Sequence, residues 1–134
     1  MTIVEPPGWA PARGYANGVS AQGRLVFVAG QIGWNAAQQF ESDDFVAQSA
    51  QALANIAAVL RAADALPEHI VRLTWYVVDK REYLASLAAL AAPYRAVMGR
   101  HYPAMTAVEV RALIEDRARV EIEATAVVPD PAAG

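Results

Sequence analysis

The sequence predicts an α+β domain in which two helices cover one face of a mixed sheet, with the element order ββαβαββ. Three observations carry that expectation. Four segments, 24–29, 70–78, 105–113 and 119–128, read as strands with side chains alternating at a period of two. Two others, 42–60 and 81–98, place apolar residues at steps of three and four, as amphipathic helices do. Turn residues punctuate the chain between these runs, notably Gln22-Gly23, Pro67 and Pro103.

Residues 1–13 hold Pro6, Pro7, Gly8 and Pro11, which feed neither a helix nor a central strand, so they read as an extended arm. Tyr15 to Ser20 forms the first strand and turns at Gln22-Gly23 into Arg24 to Ala29. Asn17-Gly18 is a competing turn signal. The second strand is apolar on both sides, with Leu25, Phe27 and Ala29 on one and Val26 and Val28 on the other, as expected of a strand buried twice. Ser42 followed by Asp43 and Asp44 caps the first helix, whose apolar stripe is Val46, Leu53, Ile56, Ala57 and Leu60. Ile70 to Val78 sends Val71, Leu73, Trp75 and Val77 one way and Arg72, Thr74 and Tyr76 the other. The second helix starts near Arg81, and Pro93 within its stripe predicts a break near residues 89–93. Met105 to Leu113 and Arg119 to Val128 close the sheet. The tail 129–134 is expected to be flexible.

With 134 residues, 55% of them hydrophobic, the chain supports one domain over 1–134 with a core of its own. A net charge of −3 lacks the basic footprint that a polyanion requires, so nucleic acid is not an expected partner. The absence of cysteine removes thiolate nucleophiles, disulfides and Cys-bound zinc. The two histidines, His69 and His101, lack metal-motif spacing, so neither metal nor cofactor is expected. No window approaches ~20 apolar residues, and the N-terminus lacks the pattern of a signal peptide. The expected location is cytoplasmic. Two helices cover only one face of the sheet, so a second copy of the chain is the simplest cover for the other.

Chemistry in such a chain falls to oxygen and nitrogen groups. Glu121 and Glu123 share the face of the last strand opposite Val120, Ile122 and Ala124, at the expected subunit boundary. Glu121 is the candidate general base, the alternative being that both carboxylates serve only ion pairs or hydration. Gly30 and Gln31 follow a buried strand and offer backbone N–H groups to an anion, or form only a turn. Tyr15 offers a phenol, and Trp34 either caps a ligand or covers core.

Taken together, Tyr15, the run Gly23 to Ile32, Gln51 to Ile56, Val71 to Asp79, Tyr102-Pro103-Ala104 and Glu121 to Ala126 resemble the RidA/YjgF family, in order and over nearly the whole chain. The resemblance implies a chorismate-mutase-like fold and a homotrimer with clefts between subunits. It also implies hydrolysis of reactive enamines and imines to keto acids and ammonia. It assigns Tyr15 and Glu121 to the placing of the attacking water, and Gly30 with Gln31 to the substrate's carboxylate. The family's carboxylate-gripping arginine, in a Pro-Ala-Arg-Ser motif, is absent: Pro103-Ala104-Met105-Thr106 stands there, and an asparagine of the second helix is Ala91. Met105 and Thr106 therefore become substrate-side residues of a different kind. A neutral or apolar ligand is expected, either hydrolysed at a C=N bond or bound without chemistry by a small-metabolite-binding trimer. RNA cleavage, a third reading proposed for the family, is poorly matched to the charge.

Overall fold

The computed structural model describes residues 1–131. Its main sheet has four strands: β3 (Arg24–Ile32), β4 (Ile70–Val77), β5 (Ala104–Glu109) and β6 (Val120–Val128), in the order β3-β6-β4-β5. The pairs β3–β6 and β6–β4 are antiparallel and β4–β5 is parallel, so the sheet is mixed as expected. The helices are α1 (Phe45–Ala62), α2 (Lys80–Ala85) and α3 (Leu87–Met98). Each of the two long connections, β3 to β4 and β4 to β5, carries helix back across the sheet.

Burial follows the alternation. Val120, Ile122, Ala124 and Ala126 of β6 and Leu73, Trp75 and Val77 of β4 are buried under the helices, against Leu53, Ile56 and Leu60 of α1 and Leu90 and Met98 of α3. Among the described residues none covers the opposite face. There Leu25 is 58% and Phe27 72% exposed, two of the three apolar residues that the strand pattern had assigned to a second buried side.

Several local details differ from the expectation. The extended N-terminal arm carries a strand of its own: β1 (Thr2–Val4) pairs antiparallel with β2 (Gly18–Ser20). The partner of β3 along its length is therefore β6, not Tyr15 to Ser20. Backbone groups of a short strand next to a proline-rich run still need partners, and the two segments supply them to each other. The cap of α1 is Asp44, whose Oδ2 accepts the Ala47 N–H at 2.9 Å, while Ser42 Oγ accepts the Asp44 N–H at 2.9 Å. The second helix breaks at Ser86, ahead of Pro93, which lies inside α3. Ala89, whose carbonyl loses its intrahelical donor to the proline, is an exposed residue.

The last two strands are shorter than expected: β5 ends at Glu109 and β6 starts at Val120, with the charged loop between them. Residues 132–134 of the expected flexible tail lie outside the described residues. Among the described residues no helix is long and apolar enough to cross a membrane.

Candidate functional site

The register of β4 with its neighbours decides where each candidate side chain goes. Met105 pairs with Leu73, which is fully buried beneath the helices, so Met105 stands on the helix-covered face. Thr106 pairs with Thr74, and Glu121 with Tyr76, both on the open face. Met105 and Glu121 therefore occupy opposite faces of one sheet. One chain alone does not bring them into one cleft, because side chains on neighbouring strands in register share a face and successive ones do not.

On the open face, Glu121 lies directly over Gly30. A Cβ on Gly30 would collide with the Glu121 carboxylate. Ala29 and Gly30 fall where β3 shifts register against β6, two residues standing opposite Glu123 alone, so the chain bulges there. Gln31 turns its amide back onto the Ala29 carbonyl at 3.1 Å. Beside this lies a cavity of about 620 Å³ whose lining includes Phe27, Arg72, Thr74, Tyr76, Thr106 and Glu123. Tyr76 donates its hydroxyl to Glu123 Oε1 at 2.7 Å. That hydrogen bond, followed by burial and the charges of Glu123 and Glu121, pushes the Tyr76 phenol above its ordinary range. Glu123 is thereby engaged, and Glu121 has no hydrogen-bond partner among the described side chains. Arg72 belongs to this face too, so it does not replace the missing guanidinium beside Met105.

On the helix-covered face, β5 and the two short helices leave a second cavity of about 220 Å³, walled by Gly14, Trp75, Tyr83, Leu87, Leu90, Ala91, Tyr94, Tyr102 and Met105. No charged side chain lines it. Met105 and Ala91, noted separately in the sequence, are two parts of one wall. Tyr94 stacks on Tyr102 with ring centroids 5.4 Å apart and donates its hydroxyl to the His101 carbonyl at 2.6 Å. Burial drives the hydroxyls of Tyr94 and Tyr83 above their ordinary range, so both stay neutral. Tyr15 stands between Gly14 of this wall and Ala16, whose N–H donates to the Pro103 carbonyl at 3.0 Å, but is itself exposed and not among the wall residues.

Trp34 lines neither cavity. It tilts against Phe40 at 5.9 Å, and the Arg117 guanidinium sits 5.1 Å from the Phe40 ring, so Trp34 covers a loop in this chain. Sequence reasoning missed the aromatic wall of Trp75, Tyr83, Tyr94 and Tyr102. Trp75, Tyr83 and Tyr94 read as ordinary apolar positions of a strand or helix and Tyr102 as a residue before Pro103, and no local signal joins them into one wall.

Comparisons with known proteins agree with this architecture. The family model described as Endoribonuclease L-PSP matches residues 6–128. The chain belongs to the RidA/YjgF family. A 2-iminobutanoate/2-iminopropanoate deaminase of Salmonella typhimurium is 34% identical over 116 residues, 84% of this chain and 86% of the relative. The Rid-family protein YyfB of Yersinia pestis superposes with a TM-score of 0.83 at 36% identity, over 95% of this chain and 98% of that one. The E. coli family member TdcF, solved with bound serine, superposes with a TM-score of 0.66 at 28% identity, over 96% and 99%.

Proposed function

We propose that this RidA-family chain is a homotrimeric hydrolase of small imines or enamines that lack a carboxylate. Its cleft is completed between adjacent copies, the Met105 pocket coming from one and Glu121 over Gly30 from the next. The observation that carries this reading is the placement of Met105 and Glu121 on opposite faces of one sheet. A site that uses both needs two chains. The exposed Leu25 and Phe27 support the assembly, since a face this apolar is stabilised by burial against a partner.

The reaction class is supported by the relative named as an imine deaminase, whose imino-acid substrates bear a carboxylate. The serine bound by TdcF supports a small ligand. The substrate differs here because the pocket wall offers no cation. A charged hydrogen bond to a carboxylate contributes roughly 1.5–3 kcal/mol, and Met105 supplies none of it. In the proposed step Glu121 takes a proton from water as the water oxygen attacks the carbon of the C=N bond, and the nitrogen takes up a proton. The carbinolamine then collapses to a carbonyl compound and ammonia, with Tyr15 helping to orient the water. A net charge of −3 gives RNA cleavage no comparable support.

The test is the decay of imines generated in place by an amine oxidase, which carry no carboxylate, beside imino acids made by an amino-acid oxidase. The expected result is acceleration of the first group, little effect on the second, and loss of turnover in Glu121→Gln with the fold intact. Faster decay of imino acids than of carboxylate-free imines contradicts the substrate assignment. Ligand binding without any turnover assigns the trimer to the non-catalytic class.

A further inference from the structure

The open face of the sheet carries two carboxylates that strand geometry makes nearly equivalent. Glu121 and Glu123 are two residues apart on β6, both point away from the helices, and both are half-buried. One hydrogen bond distinguishes them. Tyr76 stands opposite Glu121 in the register of β4 with β6, yet its hydroxyl donates diagonally to Glu123 Oε1 at 2.7 Å. A hydrogen bond onto an ionised oxygen is about twice as strong as a neutral one. The Tyr76 phenol is raised above its ordinary range, that hydrogen bond being the largest cause, so the donor keeps its proton at neutral pH. Arg72, the cation of the cavity lining, makes no ion pair with either carboxylate. From β3 and β5 the lining brings only Phe27, Val28, Ala29 and Thr106, none of them charged.

We propose that Tyr76 is a positioning residue of this site: by holding Glu123 it leaves Glu121, over Gly30, as the single carboxylate free to take the proton of the attacking water. It rests on the assignment of Glu121 to that water, and it adds the group that selects Glu121 over its neighbour. A phenylalanine at this position would keep the ring on the sheet and release Glu123. Two free carboxylates, with Cα atoms about 6–7 Å apart along one strand, would then compete for one water and repel each other.

The first test needs no turnover. The assembled protein is amidated by a water-soluble carbodiimide with glycine ethyl ester, and the modified side chains are mapped by mass spectrometry. Glu121 is expected to react at least about 5-fold faster than Glu123 in the wild type, and the two within about 2-fold of each other in Tyr76→Phe. The second test is kinetic. Tyr76→Phe is expected to lower kcat for a carboxylate-free imine about 10-fold with KM within about 2-fold. Tyr76→Phe combined with Glu123→Gln removes the competing carboxylate and is expected to restore kcat to within about 3-fold of the wild type. A contact that served only stability would leave the double variant at least as impaired as the single one.

Equal labelling of Glu121 and Glu123 in the wild type overturns the proposal, and that measurement stands even if Tyr76→Phe fails to assemble. A preference for Glu121 that persists in Tyr76→Phe overturns it too, as does a double variant as slow as Tyr76→Phe. Labelling of Glu121 that loses its preference in Tyr76→Phe, in a protein that turns over no imine, supports the selection of Glu121 while removing the hydrolase. Turnover that is lost in Glu121→Gln and unchanged in Tyr76→Phe overturns the selection and leaves the hydrolase standing.

Discussion

Replacing Gly30 by alanine separates the placing of Glu121 from the stability of the fold. Gly30 is not among the glycines with left-handed φ, so alanine meets no conformational penalty there, and the need is for space. Its Cβ would lie 2.7 Å from Glu121 Cδ and 2.8 Å from Cγ, against ordinary contacts of 3.4–4 Å. Glu121 must move by about 1 Å, and it stands half-buried on an open face with room to rotate. An off-rotamer side chain costs about 0.5–1.5 kcal/mol, so Tm should fall by only a few degrees, roughly 3–6 °C. A catalytic group displaced by about 1 Å loses on the order of 100-fold in rate. The expected outcome is a folded protein with kcat for a carboxylate-free imine down about 100-fold and KM within about 2-fold. Stopped-flow decay of the imine and a thermal melt read the two quantities. Unchanged turnover in a folded Gly30→Ala protein would refute the assignment of Glu121 to the reacting water.

Three other substitutions probe the core and the pocket. Gln48 is 1% exposed, donates to the Ser42 and Arg117 carbonyls at 3.1 and 3.0 Å, and accepts the Arg119 N–H at 2.8 Å. Gln48→Leu strands all three backbone groups and should cost about 3–5 kcal/mol, read as a lower urea midpoint with an unchanged slope. The Tyr94 hydroxyl is raised by burial, so as pH climbs past the ordinary tyrosine value of 10 the unfolded chain ionises first and stability falls. Tyr94→Phe should therefore flatten the loss of urea midpoint between about pH 9 and 11; an identical loss would remove Tyr94 from that role. Met105→Arg places a cation in an uncharged wall and should raise the rate of imino-acid hydrolysis relative to that of carboxylate-free imines at least about 10-fold, read by ammonia release.

Much of the fold was legible because it follows from period alone. The alternation along Ile70 to Val78 names the buried face of β4 correctly, and the apolar outer side of β3 correctly anticipates the uncovered face. The partner of Tyr15 to Ser20 was not legible. The Gln22-Gly23 turn signal is local, whereas the pairing with Thr2–Val4 depends on where the whole arm runs. The face of Met105 was out of reach for a related reason. A strand at the sheet edge with Thr106 and Ala107 beside Met105 has no strong apolar side, and only the register Leu73↔Met105 decides which way it points. Trp75 was legible as a core residue and not as a pocket wall, since that wall is made by strand and helix residues distant in sequence.

The claim that one cleft needs two chains is tested most directly by mixing defects. Glu121→Gln and Ala91→Trp, whose added indole would fill the Met105 pocket, are each expected to be inactive alone; they are co-expressed in equal amounts and the assembled protein is assayed. Random assembly pairs an intact pocket with an intact Glu121 at about one cleft in four, so the mixture should show about a quarter of the wild-type rate. A mixture as inactive as its two components would place the whole site within one chain and contradict the account.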